Sequence, residues 1–89
     1  MDSIDWEKYG WVKSSDYRQK LLLELDDFPQ TPTDLRDKTE FHRSHISSVL
    51  QDLADEDLVE CLNPDAKKGR VYGLTDEGEQ IVEALRQSS

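Results

Sequence analysis

Ile46, Val49, Leu50 and Leu53 fall at i, i+3, i+4 and i+7, one apolar stripe of an α-helix, and predict a helix over residues 42–55. A second stripe through Tyr17, Leu21, Leu22 and Leu25, with Leu23 beside it, predicts a core helix from the Ser14-Ser15 pair to about Asp26. Gly78, Ile81, Val82 and Leu85 form the inward face of a last helix. Between Leu53 and Gly78 the pattern changes. Leu58-Val59-Glu60-Cys61-Leu62 reads as a strand, and Arg70-Val71-Tyr72-Gly73-Leu74 as its return, with Arg70, Tyr72 and Leu74 on one face. The intervening Asn63-Pro64-Asp65-Ala66-Lys67-Lys68-Gly69 is rich in turn residues, so the two strands form a hairpin with a basic tip.

The polar residues at the ends of these stretches mark where the helices start and stop. Thr31 is placed to cap a short helix, because its hydroxyl can take an otherwise unpaired backbone N–H. Pro32 follows at the first helical position, where a missing N–H costs nothing. Asp34, three residues after the cap, completes a variant capping box and suits the positive helix end. This helix is expected to end near Lys38-Thr39, with Glu40-Phe41 as the turn and Phe41 plugged between two helices. Phe28-Pro29-Gln30 reads as a short extended edge segment. Ser14 or Ser15 caps the second-stripe helix and Thr75 the last one. The acidic helix end Ala54-Asp55-Glu56-Asp57 is expected to be fully solvated, since acid at a helix C-terminus is locally unfavourable. Arg18 and Lys20 are also read as solvated, though one of them could reach a phosphate.

The resulting order is helix, extended segment, helix, helix, hairpin, helix, which is that of a winged helix-turn-helix. The fold class is therefore α+β, mostly α, with a three-helix core, a β-hairpin wing and a C-terminal helix. Residues 14–89 make that domain. Residues 1–13 are set apart as an aromatic arm, with Trp6, Tyr9 and Trp11 packing on the domain or on a partner subunit. The alternative is a mobile arm that stacks on a ligand. Ile4, Trp6, Tyr9 and Trp11 at one end, with Ile81 and Leu85 at the other, are the candidate homodimer contacts. Both stretches are terminal and carry apolar residues beyond the need of one small core.

Composition narrows the chemistry. A chain of 89 residues forms one small domain, and 35% apolar content leaves a strongly charged surface. The one cysteine, Cys61, excludes an internal disulfide and a cysteine-based zinc cluster, and reads as a half-buried strand residue. No apolar run is long enough to span a membrane and the start lacks a signal-peptide pattern, so a cytoplasmic protein is expected. The net charge of −9 argues against nucleic acid until its distribution is considered. Residues 41–51 hold Arg43 and no acid; residues 61–75 hold Lys67, Lys68 and Arg70 against Asp65. These windows together carry +3, leaving −12 on the rest of the chain. With 12 aspartates against 6 lysines, the composition suggests adaptation to high salt, where strong self-repulsion keeps a chain in solution, and cations from a high-salt cytosol as possible bound partners.

The helix over 42–55 then becomes the candidate reader of double-stranded DNA. Arg43, Ser44, His45, Ser47, Ser48 and Gln51 flank its apolar stripe, and none is acidic. Small hydroxyl side chains permit close approach to a groove, and Arg, Ser, Gln and His can contact base edges or phosphates. Thr33 at the start of the preceding helix and Lys67, Lys68 and Arg70 on the wing complete the candidate contact set. The plainer reading is a soluble amphipathic helix with a serine-rich outer face. No enzyme is expected: Cys61 has no nearby base pattern. His42 and His45 are three residues apart without a third ligand, so no metal is expected either. His42 reads as a helix-start residue, and His45 as a solvated flank residue or a phosphate contact.

The stretches TPTDL, HRSHISSVLQDLADEDLVE after Phe41, KKGRVYGL and LTDEGEQI are similar to archaeal winged-helix regulators of the MarR/ArsR kind. The phrase LVECLNPDAKKGRVYGLTDEG especially resembles small haloarchaeal members, including phage-repressor-like ones. The resemblance covers roughly residues 14–86. Its most specific parts are S-H-I-S-x-V-L and K-G-R-x-Y-x-L-T-x-x-G. It implies sequence-specific DNA binding as a homodimer and transcriptional repression or activation. By position it implies base or backbone contacts for Ser44, His45, Ser47 and Ser48 and wing contacts for Lys68 and Arg70. The chain lacks the paired cysteine ligands of metal-sensing relatives and the long extra helices that form ligand pockets in full-length MarR proteins, and no cofactor is expected. The rival expectation is a winged-helix protein–protein module within a transcription or other assembly. It accounts for the acidity but not for an acid-free helix face beside a basic wing.

Overall fold

The computed structural model describes residues 4–87, and the chain order is α1 (Trp6–Lys13), α2 (Asp16–Asp27), α3 (Pro32–Thr39), α4 (Arg43–Asp55), β1 (Val59–Cys61), β2 (Tyr72–Leu74) and α5 (Asp76–Gln87). β1 and β2 pair antiparallel in the register Val59 with Leu74, Glu60 with Gly73, and Cys61 with Tyr72. The Phe28-Pro29-Gln30 segment joins this hairpin through one antiparallel bridge. Gln30 N donates to Tyr72 O at 3.0 Å and Tyr72 N to Gln30 O at 2.8 Å. The architecture is the expected winged helix-turn-helix, with strands shorter at their ends than the apolar runs suggested.

Each apolar stripe lands in one shared core. Leu21, Leu22 and Leu25 of α2, Leu35 of α3, Ile46, Val49, Leu50 and Leu53 of α4, and Ile81, Val82 and Leu85 of α5 are all buried. Burying a side chain of this size stabilises by about 1.5–3 kcal/mol, so α4 is held by its packing. α3 starts as read: Thr31 Oγ1 accepts from Asp34 N at 3.1 Å and the Asp34 carboxylate accepts from Thr31 N at 3.3 Å. It ends at Glu40, whose φ of 64° turns the chain in a left-handed cap. Phe41 then packs against the core, edge-on to Tyr17 with ring centroids 4.6 Å apart.

Of the chain's four glycines, Gly78 makes the closest approach to another element. A methyl group built on it would press into the Leu58 carbonyl oxygen, so α5 can cross the start of the hairpin only with glycine there. That same carbonyl accepts from Thr75 N at 3.1 Å, and Thr75 Oγ1 caps α5 by accepting from Gly78 N at 3.0 Å.

Several expectations change. The aromatic stretch set apart as an arm is, from Trp6 to Lys13, a helix capped by Asp5, with Val12 wholly buried. Its aromatic and charged residues do not sort into faces, so periodicity gave no helix signal; the cap and the neighbouring helices supply the stability instead. Lys8 ties α1 to two other helices. Its Nζ donates to the Glu56 carbonyl at the end of α4 at 2.8 Å and to Glu77 Oε1 of α5 at 3.2 Å. Burial works against the Lys8 charge, but the Glu77 carboxylate, with Asp5 and Asp57 behind it, outweighs burial and raises its pKa above 10.5. Glu56 is thus half-buried and engaged through its backbone, not fully solvated. Arg18 is half-buried too, donating to Trp11 O at 2.8 Å with its guanidinium 4.1 Å from the Trp11 ring. Tyr17, expected in the core, is 43% exposed at its edge. Ile81 and Leu85, expected at a dimer contact, are 0% and 6% exposed inside the chain's own core, so neither offers a surface to a second chain. Ile4, Tyr9 and Trp11 also pack partly against this core, whereas Trp6 is 65% exposed.

Candidate nucleic-acid interface

α4 presents three lines of side chains away from the core. Ser44, Ser48, Gln51 and Asp55, spaced by four, three and four residues, run down its outermost side, so the face expected to be free of acid carries a carboxylate at its C-terminal end, one turn beyond the stretch that the sequence reading covered. Arg43 and Ser47, one turn apart, face the wing. His45 lies on the other flank, where its ring sits 4.0 Å from that of Tyr17 of α2. The N-terminus of α4 carries no side-chain cap: His42 precedes it without a capping bond, while Asp5, Ser15, Thr31 and Thr75 cap the other four helices.

Between α3, α4 and the wing runs a groove of about 210 Å³. Thr31 and Thr33 line it from the start of α3, Arg43 and Ser47 from α4, and Lys67, Lys68, Gly69, Arg70 and Tyr72 from the hairpin. Six of the ten sequence candidates for DNA contact, Thr33, Arg43, Ser47, Lys67, Lys68 and Arg70, therefore converge on one concavity. The other four, Ser44, His45, Ser48 and Gln51, are exposed on α4 just outside it. Gln51 is not a free amide: its Nε2 donates to Asp55 Oδ1 at 3.0 Å.

The basic side chains sort by location. The chain has 11 Lys and Arg residues. Lys8, Lys20, Arg36 and Arg86 are in ion pairs with carboxylates. Lys13, Arg18 and Lys38 lie over the rings of Tyr9, Trp11 and Phe28. The remaining four are the groove residues Arg43, Lys67, Lys68 and Arg70, and none of them has a carboxylate partner among the described residues. In a chain with 20 acidic residues, four cations without a carboxylate partner are thus gathered in one concavity.

Asn63 shapes the wing and was not singled out in the sequence. Its Oδ1 accepts from Val71 N at 2.7 Å, and its Nδ2 donates to Gly69 O at 3.2 Å. One amide side chain thereby clamps the loop across its neck. Gly69 has φ 66°, the left-handed geometry that the turn needs. Arg70 Nε donates to Ala66 O at 2.9 Å, which braces the guanidinium on the loop. The Asn63-Pro64 pair at the start of the loop was the available signal, because asparagine side chains commonly close turns. Of the groove residues outside the candidate set, Thr31, Pro32, Gly69 and Tyr72, the last alternates onto the Arg70 face, which the strand pattern had already indicated.

Among the described residues no group of three or more His, Cys, Asp and Glu side chains is placed to hold a metal ion, and no helix is long and apolar enough to cross a membrane. His42 and His45 are both exposed.

No family model and no curated protein sequence matches the chain. Solved structures do. A MarR family transcription regulator is similar at 29% identity and a TM-score of 0.75, over 83% of this chain and 50% of that one. Wild-type MarR from E. coli in its apo form is similar at 25% identity and a TM-score of 0.72, over 90% of this chain and 62% of that one. A mutant MarR from E. coli complexed with operator DNA is similar at 28% identity and a TM-score of 0.67, over 78% of this chain and 51% of that one. The chain thus spans between half and two thirds of the length of these structures. These neighbours are transcription regulators, not enzymes, and the chain has their MarR-type winged helix-turn-helix fold.

Proposed function

We propose that the chain is a sequence-reading, DNA-binding transcription regulator that acts as a homodimeric repressor. α4 enters the major groove, and the wing lies on the adjacent backbone or minor groove. The observation that carries this reading is the sorting of the basic residues: the four without a carboxylate or ring partner are the four that line the groove between α4 and the wing. Phosphate contacts fix register, so Arg43, Lys67, Lys68 and Arg70 hold the backbone, with the Thr33 and Ser47 hydroxyls beside them. Ser44, Ser48 and Gln51 face base edges. His45, steadied by Tyr17, reaches the backbone on the opposite flank. The similarity to regulators of the MarR family, one of them complexed with operator DNA, supports the same reading.

The exposed Trp6, edge-on to Tyr9 at 5.2 Å, with Trp11 further along α1, is the surface for a second copy. A dimer would then read half-sites one helical turn or a multiple apart, and its occupation of a promoter is the basis of repression. The acidic excess suits a high-salt cytosol, and carboxylates near the DNA retain cations between protein and phosphate. Four phosphate contacts that release counterions give a slope of log K against log salt of about −3.6 per bound chain, and retained cations make it shallower.

The test is titration with promoter and random DNA, at low salt and in molar potassium chloride, beside the variant Ser44→Glu/Ser48→Glu. Saturable binding that prefers the promoter, falls with salt less steeply than that slope, and is lost in the variant is the expected result. A steeper fall removes the retained cations from the proposal. No binding at any salt by a folded chain removes DNA and leaves a protein partner for the fold.

A further inference from the structure

We propose that Gln51 reads an adenine in the major groove and that Asp55 is the residue that orients it; this rests on the DNA-reading proposal above. The two side chains are one turn apart on the outermost side of α4, both exposed, joined by the Gln51 Nε2 to Asp55 Oδ1 bond of 3.0 Å. The chemistry of that bond is directional. An ionised carboxylate only accepts hydrogen bonds, so only the NH₂ end of the Gln51 amide can face it. An isolated exposed glutamine presents its amide either way round. Here the bond biases the amide toward one orientation, leaving the carbonyl oxygen and one N–H for another partner.

One acceptor beside one donor is the complement of adenine. The adenine N6 amino group donates and N7 accepts, and a glutamine amide meets both at once. Guanine offers two acceptors, O6 and N7, and a glutamine with one N–H committed to Asp55 cannot donate to both. The carboxylate also stands near that acceptor-rich edge and repels it. Asp55 therefore does two things in opposite directions. It sharpens the choice of base, and it lowers affinity for any duplex because it brings negative charge toward phosphate. An acid on the reading face of a DNA-binding helix costs general affinity; base selectivity is what it supplies in return. Charge along α4 agrees with this geometry. Arg43 lies at the N-terminal end beside the groove, and Asp52 and Asp55 at the C-terminal end, so the helix enters N-terminus first and Gln51 is the last residue deep enough to touch a base.

The experiment is a complete single-base substitution series of the preferred site. It is measured by competition binding for the unaltered chain, Gln51→Ala, Asp55→Ala, Asp55→Asn and Asp55→Glu, with random duplex as a second ligand. The unaltered chain should prefer adenine over guanine at one position of the site by roughly 5- to 150-fold. Gln51→Ala should remove that preference and leave the other positions unchanged. Asp55→Ala and Asp55→Asn should raise affinity for random duplex severalfold and erode the adenine-over-guanine preference, Asp55→Asn because its amide lets Gln51 turn round. Asp55→Glu keeps an acceptor-only partner and should retain the preference. If Asp55→Ala and Asp55→Asn raise affinity for all sequences with the preference intact, Asp55 is only a repulsive charge and its orienting role is overturned. A Gln51→Ala profile identical to that of the unaltered chain overturns the whole assignment. Those results require selective binding by the unaltered chain. A folded chain that binds no DNA instead overturns the DNA-reading proposal, and this one with it.

Discussion

Replacing Gly78 by alanine tests the packing of the fold directly, because two effects of opposite sign meet at that position. Gly78 lies in the first turn of α5, and alanine in a helix is favoured over glycine by about 1 kcal/mol. Helix propensity alone therefore says that Gly78→Ala stabilises. The structure says otherwise, since the new methyl group meets the Leu58 carbonyl oxygen, a backbone atom that cannot rotate aside. Relieving such an overlap costs about 1–3 kcal/mol. The Leu58 carbonyl also accepts from Thr75 N, and displacing it weakens a bond worth about 0.5–1.5 kcal/mol. Set against the propensity gain, the net loss is about 0.5–3.5 kcal/mol. For a domain of this size that lowers the melting temperature by roughly 2–28 °C. Gly10 supplies the control. It is also helical, but nothing lies within 4 Å of an added methyl group, so Gly10→Ala should raise the melting temperature by a few degrees. Thermal unfolding followed by far-ultraviolet circular dichroism measures both variants in one buffer. A Gly78→Ala chain that melts at or above the unaltered protein would refute the close crossing of α5 over the hairpin.

Other expectations separate the interface from the scaffold. Arg43→Ala should weaken promoter binding by about 1–3 kcal/mol with relaxed selectivity if Arg43 also reaches a base, whereas Lys68→Ala/Arg70→Ala should weaken all sequences alike; unchanged binding in both moves the interface elsewhere. Glu40→Gly should stabilise by up to about 1 kcal/mol, seen as a higher urea midpoint, because φ 64° strains any residue with a Cβ; a lower midpoint would show that the Glu40 side chain contributes more than the strain it causes. Lys8 gives a pH signature. Its pKa is raised in the folded chain, so its contribution is fully present below about pH 10.5 and is lost as pH rises through the higher folded value. The stability difference between the unaltered chain and Lys8→Met should hold flat from neutral pH to about 10 and shrink only above that; a decline already at pH 9 would contradict the Glu77 pairing.

Most of the candidate site is visible in the sequence because its cues are local. The stripe Ile46, Val49, Leu50 and Leu53 orients α4 once the helix forms, and that places Ser44, Ser48 and Gln51 on the opposite side without further information. The Thr31-Pro32-Asp34 start of α3 works in the same way, since a capping box closes within four residues. The charge partition is visible too, although not the fact that every other cation finds a partner. Local pattern misled where a long-range contact overrode it. Tyr17 shares the α2 stripe yet sits at the core's edge, drawn into the stack with Phe41 and His45. Ile81 and Leu85 looked surplus to a small core, but that core extends to take them in. α1 has no apolar stripe, and it is held by Lys8 reaching residues 48 and 69 positions away.

The sequence by itself determined the order of the elements from α2 onward, the caps of α2, α3 and α5 and the outward face of α4, because periodicity and capping act over a few residues. Only the tertiary structure decided that Arg43 and the wing lysines share a groove, that Asn63 clamps the wing, that Gly78 cannot be replaced without cost, and that Asp55 holds Gln51. The first three depend on where separate elements come to rest against one another, which is set by the packing of the whole core. The Gln51–Asp55 pair is local in spacing, but which partner an exposed amide takes is a matter of side-chain rotamer, and no pattern of residue types records that.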